Sequence, residues 1–183
     1  SRLRVLDLFA GAGGLTQGFL STGAFRSVGA VEQDADAASP YALNHGGHVH
    51  TGDIADWARG SMPFAEVVVG GPPCQGFSAL GRRDPDDSRN ALWRRYVDVV
   101  ARVRPALFVL ENVPQFLEGS EYAGLVGETR RGGRLDRWVV EAHVLDASRY
   151  GVAQSRKRAF LVGRPRGTRP MGAPPTTGAS MTL

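Results

Sequence analysis

The sequence lacks several features that would each point to a particular class of protein. Only one of its 183 residues, Cys74, is cysteine, which excludes an internal disulfide and a cysteine-ligated metal cluster. No apolar run approaches the roughly 20 residues of a membrane helix, and residues 1–4 lead into a strand-like segment rather than a secretory signal. We therefore expect an intracellular protein with no membrane partner and no metal. Cys74 is either a reactive thiol or a small buried hydrophobic residue.

The charge of the chain is positive and unevenly distributed. A formal net charge of +4 and a pI near 9.8 suit a polyanionic partner, although they also suit simple solubility. The stretch from residue 156 to residue 169 is basic and contains no acidic residue, which favours contact with phosphate groups. Its basic residues are Arg156, Lys157, Arg158, Arg164, Arg166 and Arg169.

Short apolar runs alternate with helix-like stretches along most of the chain. This rhythm predicts a doubly wound α/β domain with a mostly parallel sheet, which binds ligands outside the carboxyl ends of its strands. We place this domain at residues 1–163, followed by a Gly- and Pro-rich tail at 164–183, and interpret 118–134 as a solvated helix and loop. The predicted strands are 4–9, 27–32, 48–53, 66–70, 107–111, 139–145 and 158–162, and the predicted helices are 15–21, 35–44 and 91–103.

Three predicted strands end in residues suited to one nucleoside. The first leads into glycines at 11–14, where backbone can approach a ligand closely and helix N-terminal amides attract an anion. The second ends at Glu32, suited to both ribose hydroxyls, and the third at Asp53 and Ile54, suited to an adenine amino group and ring. Alternatively, the glycines only form a tight turn and the carboxylates cap helices. Because the glycine spacing is not that of a dinucleotide site, a nucleoside with a small charged tail, such as S-adenosylmethionine, fits better.

Two further strand ends carry a thiol and a carboxyl group. The fourth predicted strand leads into 70–78, Gly-Gly-Pro-Pro-Cys-Gln-Gly-Phe-Ser, which places Cys74 on a loop at the cofactor edge. The fifth ends at Glu111, so the two groups can attack and protonate a single substrate. The alternatives are a helix cap at Glu111 and a solvated strand start at 156–158.

With these motifs in this order, the sequence resembles the cytosine-5 DNA methyltransferases from Val5 to about Gly163. The resemblance implies a Rossmann-like methyltransferase fold and transfer of a methyl group from S-adenosylmethionine to carbon 5 of cytosine in DNA, leaving S-adenosylhomocysteine. The matching segments are Asp-Leu-Phe-Ala-Gly-Ala-Gly-Gly from Asp7, Val31-Glu32, Gly52-Asp53-Ile54, Pro72-Pro73-Cys74-Gln75, Glu111-Asn112-Val113 and Gln154-Ser155-Arg156-Lys157-Arg158.

The resemblance also implies a mechanism. Cytosine leaves the duplex stack, and the Cys74 thiolate adds to ring carbon 6 while protonated Glu111 hydrogen-bonds ring nitrogen 3. Arg158 would hold the exocyclic oxygen, and Arg156 would support the loop and nearby charge. Carbon 5 then takes the methyl group, and loss of its proton expels Cys74.

The same resemblance assigns binding residues, with duplex DNA carrying a flipped cytosine as partner. Phe9 and Ile54 would pack on the adenine, Glu32 would bind the ribose, and Asp53 would bind the amino group. The full cofactor set is Phe9, Ala10, Gly11, Gly13, Gly14, Glu32, Gln33, Asp53, Ile54, Pro73 and Leu92. The DNA set is Gln75, Ser78, Arg82, Arg83 and Arg89, of which the three arginines lie on the loop 79–90, whose alternative role is that of a charged, solvated loop.

The resemblance stops before the family's target-recognition region and last two motifs. Residues 174–177, Pro-Pro-Thr-Thr, resemble the lead into that region. We therefore expect that a second chain or further segment supplies target recognition. The alternatives are a binding module that holds cofactor or DNA without turnover, a transfer RNA methyltransferase, and, less compatible with the Cys74 and Glu111 loops, a nicotinamide-dependent dehydrogenase.

Overall fold

A single seven-stranded sheet organises the chain, whose computed structural model describes residues 1–73 and 92–177. The strand order is β3-β2-β1-β4-β5-β7-β6. Neighbouring strands from β3 to β5 are parallel, whereas β7 is antiparallel to both β5 and β6. The strands are β1 Leu3–Leu8, β2 Phe25–Glu32, β3 Val49–Thr51, β4 Val67–Gly70, β5 Leu107–Asn112, β6 Trp138–Asp146 and β7 Lys157–Pro165.

Helices follow the first five strands, as a doubly wound fold requires. They are α1 Gly14–Ser21, α2 Ala35–His45, α3 Ile54–Trp57, α4 Leu92–Val103 and α5 Ser120–Glu128, with single 3-10 turns at Pro114–Glu118 and Ala147–Tyr150. The predicted α/β fold, all seven strands and all three helices are confirmed. The prediction missed α3, because a four-residue helix is too short to show an apolar period.

The core lies where α4 packs on the sheet. Tyr96, Phe108 and Leu110 have no exposed surface, and the hydroxyl of Tyr96 donates to the carbonyl oxygen of Val109 at 2.9 Å. All four residues of β4 are buried, because a parallel strand in the middle of such a sheet is covered on both faces. This rigid centre fixes the strand ends from which the site is built.

The interpretation of residues 118–134 as solvated is wrong for their inner side. Leu125 on α5 and Leu135 after it are both 0% exposed and belong to the main core. Arg134 and Glu128 form a side-chain ion pair that is partly exposed to solvent, so these charges are not only solvated. The sequence signal was weak because a nine-residue helix with one fully buried leucine has little apolar periodicity.

The end of the described chain stays attached to the sheet. Strand β7 continues to Pro165, two residues beyond the expected domain boundary at 163, and the backbone amides of Met171 and Gly172 donate to the Glu141 carboxylate at 3.1 and 3.2 Å. Within residues 1–73 and 92–177, no helix has the length and apolar character needed to cross a membrane.

Candidate active site and cofactor cleft

The glycine-rich turn after β1 has an unusual backbone. Phe9 has a φ of 58°, Gly11 of 53° and Gly13 of 92°, all in the left-handed region. A Cβ at Gly13 would lie 2.5 Å from a ring carbon of His45, so only glycine fits there. Phe9 has no such freedom, and its conformation is strained, a feature that concentrates at functional sites.

Glu32, at the end of β2, holds the turn in place. Its carboxylate oxygens accept hydrogen bonds from the amides of Gly11 at 2.7 Å and Asp34 at 2.8 Å. Asp34, rather than Glu32, caps α2. Asp53 does cap a helix, because it accepts from the Ala55 amide at 2.6 Å at the start of α3. Both carboxylates nevertheless face one cavity.

That cavity, the cofactor cleft, has a volume of about 260 Å³ and lies beyond the carboxyl ends of β1 to β4. The structure thus brings together seven of the predicted cofactor residues, which come from four separate strand ends and the start of α4. They are Phe9, Glu32, Gln33, Asp53, Ile54, Pro73 and Leu92.

A second cavity of about 600 Å³, the substrate cleft, shares Phe9 and Gly71 with the first. The predicted catalytic residues Glu111, Arg156 and Arg158 all line it, as do Ala10 and Gly14 of the cofactor set. Apolar side chains form much of the remaining wall, namely Leu15, Leu145, Val152 and Phe160. The two clefts therefore adjoin each other at Phe9 and Gly71.

An ion pair orients the carboxyl group of the substrate cleft. Nε of Arg158 lies 2.9 Å from Oε1 of Glu111, and each side chain is 24% exposed. Oε2 of Glu111 would lie 3.2 Å from a Cβ at Gly71, so glycine there leaves the carboxyl group room. The pair crosses from β5 to β7, since those strands are antiparallel neighbours.

Asp146 organises the segment that carries Arg156. Its carboxylate accepts from the amides of Ser148 and Arg156 and from the hydroxyl of Ser155, at 3.2, 3.1 and 3.1 Å. These hydrogen bonds, led by the one from the Ser148 amide, hold the pKa of Asp146 below its usual value. The chain therefore enters β7 along a defined path.

Residues 3–177 match the family described as C-5 cytosine-specific DNA methylase. The chain belongs to that family. Type II methyltransferase M.AgeI of Thalassovita gelatinovora is 38% identical over 91% of this methylase chain and 41% of its own length. M.XorII of Xanthomonas oryzae pv. oryzae is 38% identical over 94% and 43%, and M.AquIA of Picosynechococcus sp. is 34% identical over 97% and 78%.

Solved structures agree with the methylase fold. A putative DNA modification methyltransferase encoded within an E. coli prophage superposes with a TM-score of 0.72 at 31% identity, over 90% of this chain and 47% of that one. The S. pombe Dnmt2 methyltransferase has the same fold, with a TM-score of 0.72 at 24% identity over 92% and 53%. The chain spans about two fifths of the length of M.AgeI and M.XorII.

One contact of the methylase site escaped sequence reasoning. The side-chain amide of Asn112, only 6% exposed, donates to the carbonyl oxygen of Pro72 at 2.9 Å, and its oxygen accepts from the Val113 amide at 2.8 Å. Asn112 thus clamps the backbone two residues before Cys74. The position of an asparagine directly after Glu111 was the available signal, but only the carboxyl group was given a role.

Several predicted residues of the methylase lie outside the described part of the chain. They are Cys74, Gln75, Ser78, Arg82, Arg83 and Arg89. Two residues of the basic stretch are engaged within the protein: Arg164 pairs with Glu141, and Arg166 donates to the carbonyl oxygen of Thr129 at 2.8 Å. Contact of the basic stretch with phosphate groups stays a prediction, and these two arginines have partners within the protein.

Proposed function

We propose that this methylase transfers a methyl group from S-adenosylmethionine to carbon 5 of cytosine in double-stranded DNA, through a covalent adduct at Cys74, and that it works inside the cell. The observation that carries the proposal is the pair of adjoining clefts. One is lined by Glu32 and Asp53, the other by Glu111 and Arg158, and Phe9 belongs to both.

The residues of the cofactor cleft suit the parts of the cofactor. Glu32 accepts the ribose hydroxyls, because each oxygen uses one lone pair on a backbone amide and keeps another. Asp53 accepts from the adenine amino group, while Phe9 and Ile54 cover the faces of the ring. Bound S-adenosylmethionine supplies an electrophilic methyl group. Because Phe9 lines both clefts, the methyl group of a cofactor bound beside it would lie next to the substrate cleft.

The substrate cleft suits a flipped cytosine. Glu111 in its protonated form hydrogen-bonds ring nitrogen 3, which makes carbon 6 electrophilic, and the Cys74 thiolate adds there. Arg158 holds the exocyclic oxygen with its fixed donors, and Arg156 supports the neighbouring charge. After methylation, loss of the carbon 5 proton restores the ring and releases Cys74. Asn112 holds the backbone approach to that nucleophile through Pro72.

Target recognition is the part of the function that we assign to a further segment or second chain. We propose residues 1–163 as the catalytic domain and 164–183 as the start of the region that leads to recognition, with the DNA-contacting set Gln75, Ser78, Arg82, Arg83 and Arg89. The support is the coverage of relatives. The match covers only 41% of M.AgeI, which leaves room for a further segment in that relative. It covers 78% of M.AquIA, so a relative with little additional length also exists.

The test is covalent capture. The chain is incubated with S-adenosylmethionine and duplex DNA containing 5-fluorocytosine, whose fluorine cannot leave as a proton does, and adducts are located by mass spectrometry. We expect a methylated adduct at Cys74 that is absent from Cys74→Ser. Transfer RNA is run in parallel. A preference for RNA contradicts the DNA substrate, and cofactor binding without any adduct, even after a recognition chain is added, supports the binding-module alternative.

A further inference from the structure

Five side chains form one continuous hydrogen-bond chain from the protein interior to its surface. Thr16 Oγ1 lies 2.7 Å from Oδ2 of Asp7 and 3.2 Å from the hydroxyl of Tyr41. The Tyr41 hydroxyl lies 3.1 Å from Oγ of Ser27, and that oxygen lies 2.7 Å from Nε2 of His48. This chain of hydrogen bonds joins β1, α1, α2 and β2 and ends at the exposed His48.

The inner end of the chain is closed to solvent. Asp7 is 1% exposed, and Thr16 and Tyr41 are 0% exposed. Within the described residues, Oδ1 of Asp7 has no hydrogen-bond partner. The hydroxyls therefore give a proton that enters or leaves this carboxyl group a connected path to the surface.

The three hydroxyl groups allow two complete arrangements of protons, because each hydroxyl donates once and accepts from the other side. With ionised Asp7, every proton points inward, and Nε2 of His48 carries a hydrogen that it donates to Ser27. With protonated Asp7, every proton points outward, and Nε2 of His48 accepts from Ser27. All four hydrogen bonds are made in both arrangements, so the charge of Asp7 and the state of His48 are tied together.

This chain of hydrogen bonds lies directly behind the glycine-rich turn that follows β1. A Cβ at Gly13 would lie 2.8 Å from a ring carbon of Tyr41, so that ring packs directly on the turn. Thr16 lies in the first turn of α1, whose N-terminus forms the other side of the same loop. Glu32, which holds Gly11, also acts electrostatically on Asp7.

We propose that Asp7 and His48 are the two ends of a proton relay, through which binding of a cationic cofactor ionises the buried carboxyl group and delivers its proton to the surface. The proposal rests on the proposed use of S-adenosylmethionine. In the step, the Asp7 proton passes to Thr16, and each hydroxyl hands its own proton outward until Ser27 protonates Nε2 of His48. The imidazolium then loses its Nδ1 proton to solvent, while Nε2 keeps the new hydrogen and donates it to Ser27.

The charges around both ends suit this exchange near neutral pH. Burial, with a further contribution from Glu32, raises the pKa of Asp7 to about 7, although the Thr16 hydrogen bond opposes the shift. Burial and the neighbouring His45 lower the pKa of His48. Among the described residues, Tyr41 and Tyr96 also interact electrostatically with Asp7, and burial raises the pKa of each phenol, so both stay neutral.

The cofactor supplies the driving charge. S-adenosylmethionine carries a sulfonium, an ammonium and a carboxylate group and is a net cation, whereas S-adenosylhomocysteine lacks the sulfonium and is a neutral zwitterion. A positive charge beside the turn favours an anionic carboxyl group behind it. We therefore expect the charged cofactor to displace more protons than its product, a difference that a merely structural Asp7 would not produce.

The relay is tested first in the free protein by NMR, following the imidazole nitrogens of His48 and the side-chain carbon of Asp7 from pH 5 to pH 9. In the wild type, both signals should report a shared transition. Tyr41→Phe keeps the ring on Gly13 but removes the hydroxyl, and should leave His48 to titrate without the Asp7 transition. His50→Gln, on a histidine outside the chain, should change nothing. If Tyr41→Phe leaves the coupling intact, the relay is wrong.

Calorimetric titration with S-adenosylmethionine and with S-adenosylhomocysteine, in pH 7 buffers of different ionisation enthalpy, then measures how many protons are released on binding. The pKa of Asp7 lies near the pH of the experiment, so we expect release of a fraction of a proton per bound S-adenosylmethionine, a smaller release for S-adenosylhomocysteine and none in Asp7→Asn. Binding with no proton release overturns the relay and leaves the methyltransferase proposal intact. Failure to bind either molecule overturns the cofactor assignment, while the NMR titration still decides whether the relay exists.

Discussion

Nε of Arg158 and Oε1 of Glu111 lie 2.9 Å apart across the antiparallel pair β5 and β7. The two side chains reach the substrate cleft from strands that run in opposite directions, so neither belongs to a loop. Their geometry is set by the sheet, and a substrate that enters the cleft meets an oriented carboxyl group with a cation beside it. The site is therefore sensitive to small changes in either side chain.

Replacing the proton donor should separate chemistry from binding. Glu111→Gln keeps the shape of the side chain but cannot donate a carboxyl proton, so we expect kcat to fall about 10²-fold or more. Cofactor affinity should stay within about twofold, because the change lies in the other cleft. Methyl transfer, with any recognition chain required, and calorimetry check both values. Glu118→Gln, at an exposed carboxylate, serves as the control, and an equal loss there would refute the assignment.

The Asn112 clamp gives a second prediction. Asn112→Asp retains an acceptor for the Val113 amide but loses the donor to Pro72, and should slow formation of the 5-fluorocytosine adduct by about 10²-fold through misplacement of the nucleophile. Unfolding free energy should fall by about 1–3 kcal/mol, since a buried carbonyl loses its partner. An adduct rate equal to that of the wild type, measured by rapid quench, would rule out a positioning role.

The sheet and the main site residues could be predicted because their signals are local. Four-residue apolar runs such as Val67–Gly70 predict buried strands, and the functional groups stand directly at strand ends. Asn112 and Pro72 are 40 residues apart, and Thr16 and Tyr41 are 25 apart. Contacts of this kind depend on how elements pack, so no local pattern contains them.

The burial of α5 was underestimated for the same reason, because it depends on how α5 packs against other elements. Two glycines of α5 test that packing. A Cβ at Gly124 would lie 2.7 Å from the buried ring of Trp93 on α4, whereas a Cβ at Gly127 meets nothing within 4 Å. We expect Gly124→Ala to destabilise the fold by about 1–3 kcal/mol through overpacking. Gly127→Ala should instead stabilise it by up to about 1 kcal/mol. Urea denaturation distinguishes the two, and equal shifts would mean that α5 does not pack on Trp93.

The pair Arg4 and Glu66 predicts a pH dependence of stability. Two side-chain hydrogen bonds and the Arg4 amide, at 2.8 to 3.1 Å, lower the pKa of Glu66 from 4.5 to about 2. A lowered carboxyl pKa contributes stability above the unfolded value that is lost as the pH falls through the folded value. The difference in unfolding free energy between wild type and Glu66→Gln should therefore shrink between about pH 4.5 and 2.

Urea titrations across that range provide the measurement. Asp56→Asn, which removes the exposed partner of Arg59, gives the comparison, because an ion pair that is exposed to solvent contributes little to stability. A stability difference for Glu66→Gln that stays constant down to pH 2 would show that the carboxylate does not act through its charge.

Because Phe9 forms part of both clefts, the site can be approached as one target for inhibitor design. A molecule that joins an adenosine to a pyrimidine through a short linker would occupy cavities of about 260 and 600 Å³ at once. If the proposed function holds, a resistance mutation at Phe9 would weaken the binding of both the cofactor and the flipped cytosine, and would therefore reduce the activity of the enzyme as well.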